Sequence, residues 1–174
     1  MVKLPGMLDR QPAGFHAAFY KGTRPGVAGL YSRGVRFWMR GPYSHCEAVY
    51  SDGESASASF EDDGVRFKTI AYDPARWDFV RLPAHLELPS RQWFVDHDGE
   101  LYDLRGNMHF VLGPVQESRN RKFCAEALAA SLGIPDAWRF DPNALAVLLL
   151  YFSQFGWGAP AAPTPQSSQF ILQP

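Results

Sequence analysis

The chain has 174 residues, is 46% hydrophobic and carries a net charge of −1 with a pI near 6.5. That is enough apolar material for one core at an ordinary single-domain size, and the charge balance excludes a dedicated nucleic-acid binder, which shows a basic face and a high pI. No apolar run reaches the roughly 18 residues of a membrane span, and the N-terminal MVKLPGMLDRQPAG lacks the apolar segment of a secretory signal, so the protein is expected to stay in, or be assembled in, a cytoplasm.

In chain order, Phe15 to Tyr20 (FHAAFY) reads as a first strand, ended by Lys21-Gly22. Pro25 opens a helical segment from Gly26 to Arg40, with Val27, Leu30, Tyr31, Val35 and Trp38 at helical spacing. Arg33, Arg36 and Arg40 lie mostly off that stripe and form a small basic patch. After Gly41-Pro42 the period changes to two. Ser44 to Tyr50, Glu54 to Phe60, Val65 to Ile70 and Trp77 to Leu82 read as strands of an antiparallel meander. They are separated by the turn signals Ser51-Asp52-Gly53, Asp62-Asp63-Gly64 and Asp73-Pro74.

Beyond Pro83 the pattern is helical. Pro89-Ser90 is expected to cap a segment around Trp93 to Val95 that ends at Gly99, and Tyr102 to Leu112 forms a second. Arg121 to Leu132 is the clearest helix, stopped by Gly133 with Pro135 beyond it. Asp141 as N-cap and Pro142 at the first helical position begin a further one, in which Ala144 to Phe152 is too short to span a membrane and reads as core. From Gly156 the composition turns to Gly, Ala, Pro, Ser, Thr and Gln. Such a stretch buries too little apolar surface to offset its ordering entropy. The chain therefore divides into a domain over 1–156 and a tail over 157–174 with an apolar tip, Phe170-Ile171-Leu172.

Two cysteines are too few for a disulfide framework or a four-thiolate zinc site. A Cys46–Cys124 disulfide is open to the pair, and a reducing cytosol favours free thiols. Cys124 (RKFCAEALAASLG) lies near a helix N-terminus and heads the stripe Ala127, Leu128, Ser131. Backbone N–H groups there stabilise a thiolate and an oxyanion, and Arg121 and Lys122 add positive potential. Taken alone, the segment favours a buried structural thiol over a nucleophile. His45 (PYSHCEAVYSDG) shares a strand face with Glu47, and Cys46 points away from both. An imidazole needs a partner to fix its tautomer before it accepts a thiol proton, and Glu47 or a polar residue of the next strand can serve. Ser55, Ser57 and Ser59 alternate with alanines and line one face, leaving room for a substrate or a ring; the plainer reading is a solvated edge strand. His16, His85, His97 and His109 have no metal-ligand spacing, and phosphate loops and a GxSxG elbow are absent.

The order of these parts is distinctive: Ser44-His45-x-Glu47, a hairpin to small residues, Gly64-Val65-Arg66, Tyr102-Asp103-x-x-Gly106, then Phe123-Cys124-x-Glu126-x-Leu128 to Leu132-Gly133. Over about residues 15 to 150 it resembles the circularly permuted branch of the NlpC-like, papain-related cysteine hydrolases, in the small form carried by tailed bacteriophages. The resemblance implies an α+β, permuted papain-like fold with an antiparallel strand meander packed against the cysteine helix. It implies Cys124 as nucleophile, His45 as base, a third, orienting group near Ser57 or at Glu47, and Tyr102 helping to form the oxyanion site. No metal or organic cofactor is required. The implied reaction is cleavage of an amide, most simply in a peptidoglycan peptide, by a virion protein of the phage tail. The implied partners are the peptidoglycan peptide and other tail proteins, which 157–174 could engage. A structural tail protein that keeps the fold without activity, or an acyltransferase or lipid hydrolase, are the competing expectations.

Overall fold

Every period-two segment becomes a strand, within two residues of its expected bounds. The computed structural model describes residues 4–22, 41–59, 61–102 and 121–157, with backbone only at 101, 102, 121 and 122. The helices expected over 26–40 and over most of 102–112, the basic patch, and the tail beyond Trp157 lie outside the described residues.

The described strands are β1 (His16–Tyr20), β2 (His45–Val49), β3 (Glu54–Ser59), β4 (Gly64–Thr69), β5 (Trp77–Arg81), β6 (Leu101–Tyr102) and β7 (Arg121–Lys122). They form one sheet in the order β5-β1-β2-β3-β4-β6-β7. The first four make an antiparallel meander, as expected for β2 to β4. β5 departs from that expectation. It returns to pair with β1, and Tyr72 of the connecting segment packs on Trp77 and Phe79 and meets Ser55 on β3. β6 pairs antiparallel with β4, and β7 runs parallel to β6.

Three α-helices are described: α1 (Glu87–Asp96), α2 (Cys124–Ser131) and α3 (Pro142–Phe155). α1 starts before the expected Pro89-Ser90 cap, growing directly out of a 3-10 turn at Ala84–Leu86. Pro89 then falls in the first turn, where its missing N–H has no helical partner to lose. Ser90 is buried inside the helix, and its hydroxyl donates to Ser131 Oγ at 3.0 Å, tying α1 to α2. α3 begins as expected: the Asp141 carboxylate accepts from Asn143 N and Ala144 N, with Pro142 at the first position. Its Leu145, Ala146 and Leu149 enter the core, whereas Val147, Tyr151 and Phe155 face outward, so only one stripe of this apolar helix is core.

The alternation along β2 and β3 sorts the two faces of the sheet. Ala17, Ala48, Ala56 and Ala58 lie beneath Ala125, Leu128 and Ala129 of α2 in the main core. Small side chains on both surfaces let this helix sit close on the sheet. The opposite face carries His45, Glu47, Ser55 and Ser57, with Ala18, Tyr20, Val49, Trp77 and Phe79 as a second apolar cluster. β3 is interior and buried from Ser55 to Ser59, not a solvated edge. Tyr72 fills space that the serines leave, its hydroxyl 2.8 Å from Ser55 Oγ.

Candidate active site

Arg121 and Lys122 were expected inside the cysteine helix, but they pair with Leu101 and Tyr102 as β7, so the helix begins at Cys124 itself. Phe123, extended at φ −110° and ψ 163°, is the N-cap and contributes no side-chain cap. The first intrahelical bond runs from Ala127 N to Phe123 O. The amides ahead of Ala127 are thus those a helix leaves without intrahelical acceptors, and Cys124 stands at the positive end of the helix dipole.

Cys124 meets β2 at its first residues. Cys46 reaches it from the helix-side face of the strand, and its thiol hydrogen-bonds the Cys124 sulfur. His45, the first residue of β2, also interacts with that sulfur. Both cysteines are free and buried. Their acidities diverge. The Cys124 thiol is pulled well below its ordinary 9.0 by the Cys46 hydrogen bond, which together with the charge of His45 outweighs burial. Burial and the neighbouring Cys124 push Cys46 well above that value, so Cys46 stays protonated and donates.

His45 is 8% exposed. Burial opposes its charged form, yet the Cys124 sulfur and the Glu47 carboxylate together raise it from 6.5 to about 9. Its Nε2–H donates to Glu47 Oε1 at 2.7 Å. Nδ1 is therefore the nitrogen left for Cys124. Glu47 is 1% exposed, and burial alone would push its carboxyl up from 4.5. Arg66 reverses this: Nη1 donates to Oε2 at 2.7 Å and Nη2 to Oε1 at 2.6 Å. With His45 they hold the carboxyl at about 2. The result is a continuous row, Cys124–His45–Glu47–Arg66, in which thiolate and imidazolium stabilise each other.

The expected site residues thus fare differently in position. Cys124, His45 and Glu47 come together. Ser57 stands next to them without touching the ring: its hydroxyl donates to the Cys46 carbonyl at 2.7 Å and lies 3.3 Å from that of Ala58. The backbone of Tyr102 pairs with Lys122 in the sheet, and its side chain lies outside the described residues, as do those of Arg121 and Lys122. His16 is buried against Phe79 with Nδ1 on the Gly14 carbonyl, and His97 stacks on Trp93, both away from the thiol. His109 lies outside the described residues. Among the described residues no group of three or more His, Cys, Asp or Glu side chains is placed to hold a metal, and no helix is long and apolar enough to cross a membrane.

Sequence reasoning missed two participants. Cys46 was read as pointing away from His45, which is correct. The face it points to is the one α2 covers, and that made it the neighbour of Cys124. Arg66 lies in Gly64-Val65-Arg66, where nothing in the local sequence assigns it a role. Its distance from Glu47, two strands away, hid the contact. Compared with protein-family models, curated proteins and solved structures, the chain gives no match.

Proposed function

We propose that the protein is a cysteine hydrolase of permuted papain-like type, acting on an amide bond. The observation that carries this reading is the Cys124 sulfur at a helix head beside a His45 ring whose far nitrogen is held by Glu47. The thiolate attacks the substrate carbonyl carbon, and the amides at the head of α2 receive the developing oxyanion. His45 gives its proton to the leaving amine as the C–N bond breaks, leaving an acyl-enzyme. It then takes a proton from water, whose hydroxide attacks the thioester. The acid departs and the thiolate returns. Glu47 keeps the ring in one orientation and tautomer throughout.

The substrate class rests on the family resemblance: a peptidoglycan stem peptide or cross-bridge, cut by a tail-associated virion protein. Incubation of the full chain with muropeptides should yield new amine and carboxyl ends by mass spectrometry, and Cys124→Ser should yield none. Iodoacetamide near neutral pH should label Cys124 at least about tenfold faster than Cys46. Equal, slow labelling of both thiols would sink the catalytic reading.

A second reading has one observation in its favour: Cys124 is only 2% exposed. A structural tail subunit that retains the site without admitting substrate would look the same. Fast labelling of Cys124 without turnover of any muropeptide or simple ester would favour it. Removal of 157–174 should then block incorporation into particles while the fold persists.

A further inference from the structure

We propose that Arg66 is a positioning residue for this site, aiming the Glu47 carboxylate at His45, and that Asp62 fixes Arg66 for that task. The inference rests on the catalytic reading above and extends it by two residues on a different strand and turn.

Arg66 lies on β4 and Glu47 on β2, with β3 between them. Two strand spacings amount to about 9–10 Å, too far for a short side chain to bridge. The residue facing Arg66 across the β3–β4 ladder is Ser57. Its small side chain turns to the Cys46 carbonyl, leaving the guanidinium free to pass over β3. A large residue at 57 would occupy that path. The serine, a weak orienter for a histidine, thus becomes the gap through which a stronger orienting device reaches Glu47.

The device is specific to arginine. Nη1 and Nη2 clasp both Glu47 oxygens, and Nε donates to Asp62 Oδ2 at 2.8 Å. Asp62 Oδ1 accepts from Lys68 Nζ at 2.9 Å. All three guanidinium nitrogens are committed, so the fork has one orientation, and through it the carboxylate plane has one as well. Glu47 Oε1 is shared between Arg66 and His45. The carboxylate is already charge-balanced by Arg66. It therefore orients and supports the imidazolium without becoming its proton acceptor. A lysine at 66 offers a point charge and no fork.

The test is the pH profile of Cys124 alkylation by iodoacetamide in the full folded chain, with the His45 ring nitrogens followed by 15N NMR. Arg66→Met should slow alkylation at pH 7 by about tenfold and shift the Nε2 resonance, and Arg66→Lys should fall between it and the parent. Because Arg66 acts through Glu47, Arg66→Met should cost less than about twofold in a Glu47→Gln background. That double variant also removes both buried charges and so guards against a single variant that fails to fold. Asp62→Asn, which leaves the Glu47 clasp but loosens Nε, should slow alkylation about two- to threefold. An unchanged profile and ring signal in folded Arg66→Met overturns the proposal. So does an equal slowing in both backgrounds, which would mark a role independent of Glu47. None of these readouts needs turnover: a chain that shows the coupling and turns over neither muropeptide nor simple ester would favour the structural reading and uphold the positioning role.

Discussion

Two carboxylates are almost completely buried in this sheet, and they lead different lives. Asp78 on β5 receives the Lys21 ammonium at 2.6 Å and the Tyr43 hydroxyl at 2.9 Å. Glu47 on β2 receives Arg66 and His45. Both satisfy the rule that a buried charge needs a cation and further hydrogen bonds. The Asp78 partners tie β5, the end of β1 and the entry to β2 together, and the Tyr43 phenol is driven further from ionisation by burial and by Asp78. The Glu47 partners end at a thiol. What separates a structural ion pair from a chemical one here is not burial or bond length. It is whether the chain of contacts reaches a group that can exchange a proton near neutral pH.

That contrast can be broken by exchanging one carboxylate at a time. Asp78→Asn should cost about 3 kcal/mol of stability, the low end for removing one partner of a buried pair, because Lys21 is 24% exposed and can turn to water. It should leave the Cys124 alkylation profile unchanged; denaturant unfolding and labelling of the same sample decide both points. Glu47→Gln should do the reverse in emphasis, slowing Cys124 alkylation by at least about tenfold. A Glu47→Gln variant as reactive as the parent would make Glu47 a second Asp78.

The pH dependence of stability sharpens the same comparison. Glu47 is held at about 2 against 4.5. A depressed carboxyl contributes fully above its unfolded value, and that contribution fades as pH falls from 4.5 towards 2. His45 is raised to about 9 from 6.5. Its contribution is complete below 6.5 and is lost as pH rises through 9. Over that range the depressed Cys124 thiol gains what His45 loses, because the thiolate–imidazolium pair binds as many protons as the unfolded thiol and neutral ring. Urea midpoints should therefore stay roughly level between about pH 6.5 and 9 and fall as pH drops, with Glu47 adding to the fall below about 4.5. Glu47→Gln should flatten the part of that fall below about 4.5. The smallest effect is expected at the head of α3: Asp141→Ala should lower stability by about 1 kcal/mol through loss of the cap, read from the urea midpoint.

Much of this was legible in the residues. Alternation and turn chemistry located β2, β3 and β4 because each strand is short, bounded by Gly, Asp or Ser, and sided. Asp141-Pro142 announced its helix for the same local reasons. His45 with Glu47 was readable because i and i+2 on a strand share a face. What escaped was non-local. β5 pairs with β1 across a crossover that leaves no mark in its own sequence. Arg121 and Lys122 have good helix propensity, yet pairing with Leu101 and Tyr102 draws them into the sheet. The contacts of Cys46 and Arg66 depend on which face α2 covers and on the small size of Ser57, properties of the assembled sheet.

The parallel pairing of β6 with β7 has a consequence beyond architecture. Leu101 lies beside Arg121 and Tyr102 beside Lys122, so the chain leaves the sheet and re-enters it on neighbouring strands, two residues before the nucleophile. A one-residue slip of that register would turn each β7 side chain to the opposite face of the sheet and move the head of α2 by about 3.3 Å along the strand. Cys124 thus takes its place from the β6–β7 register.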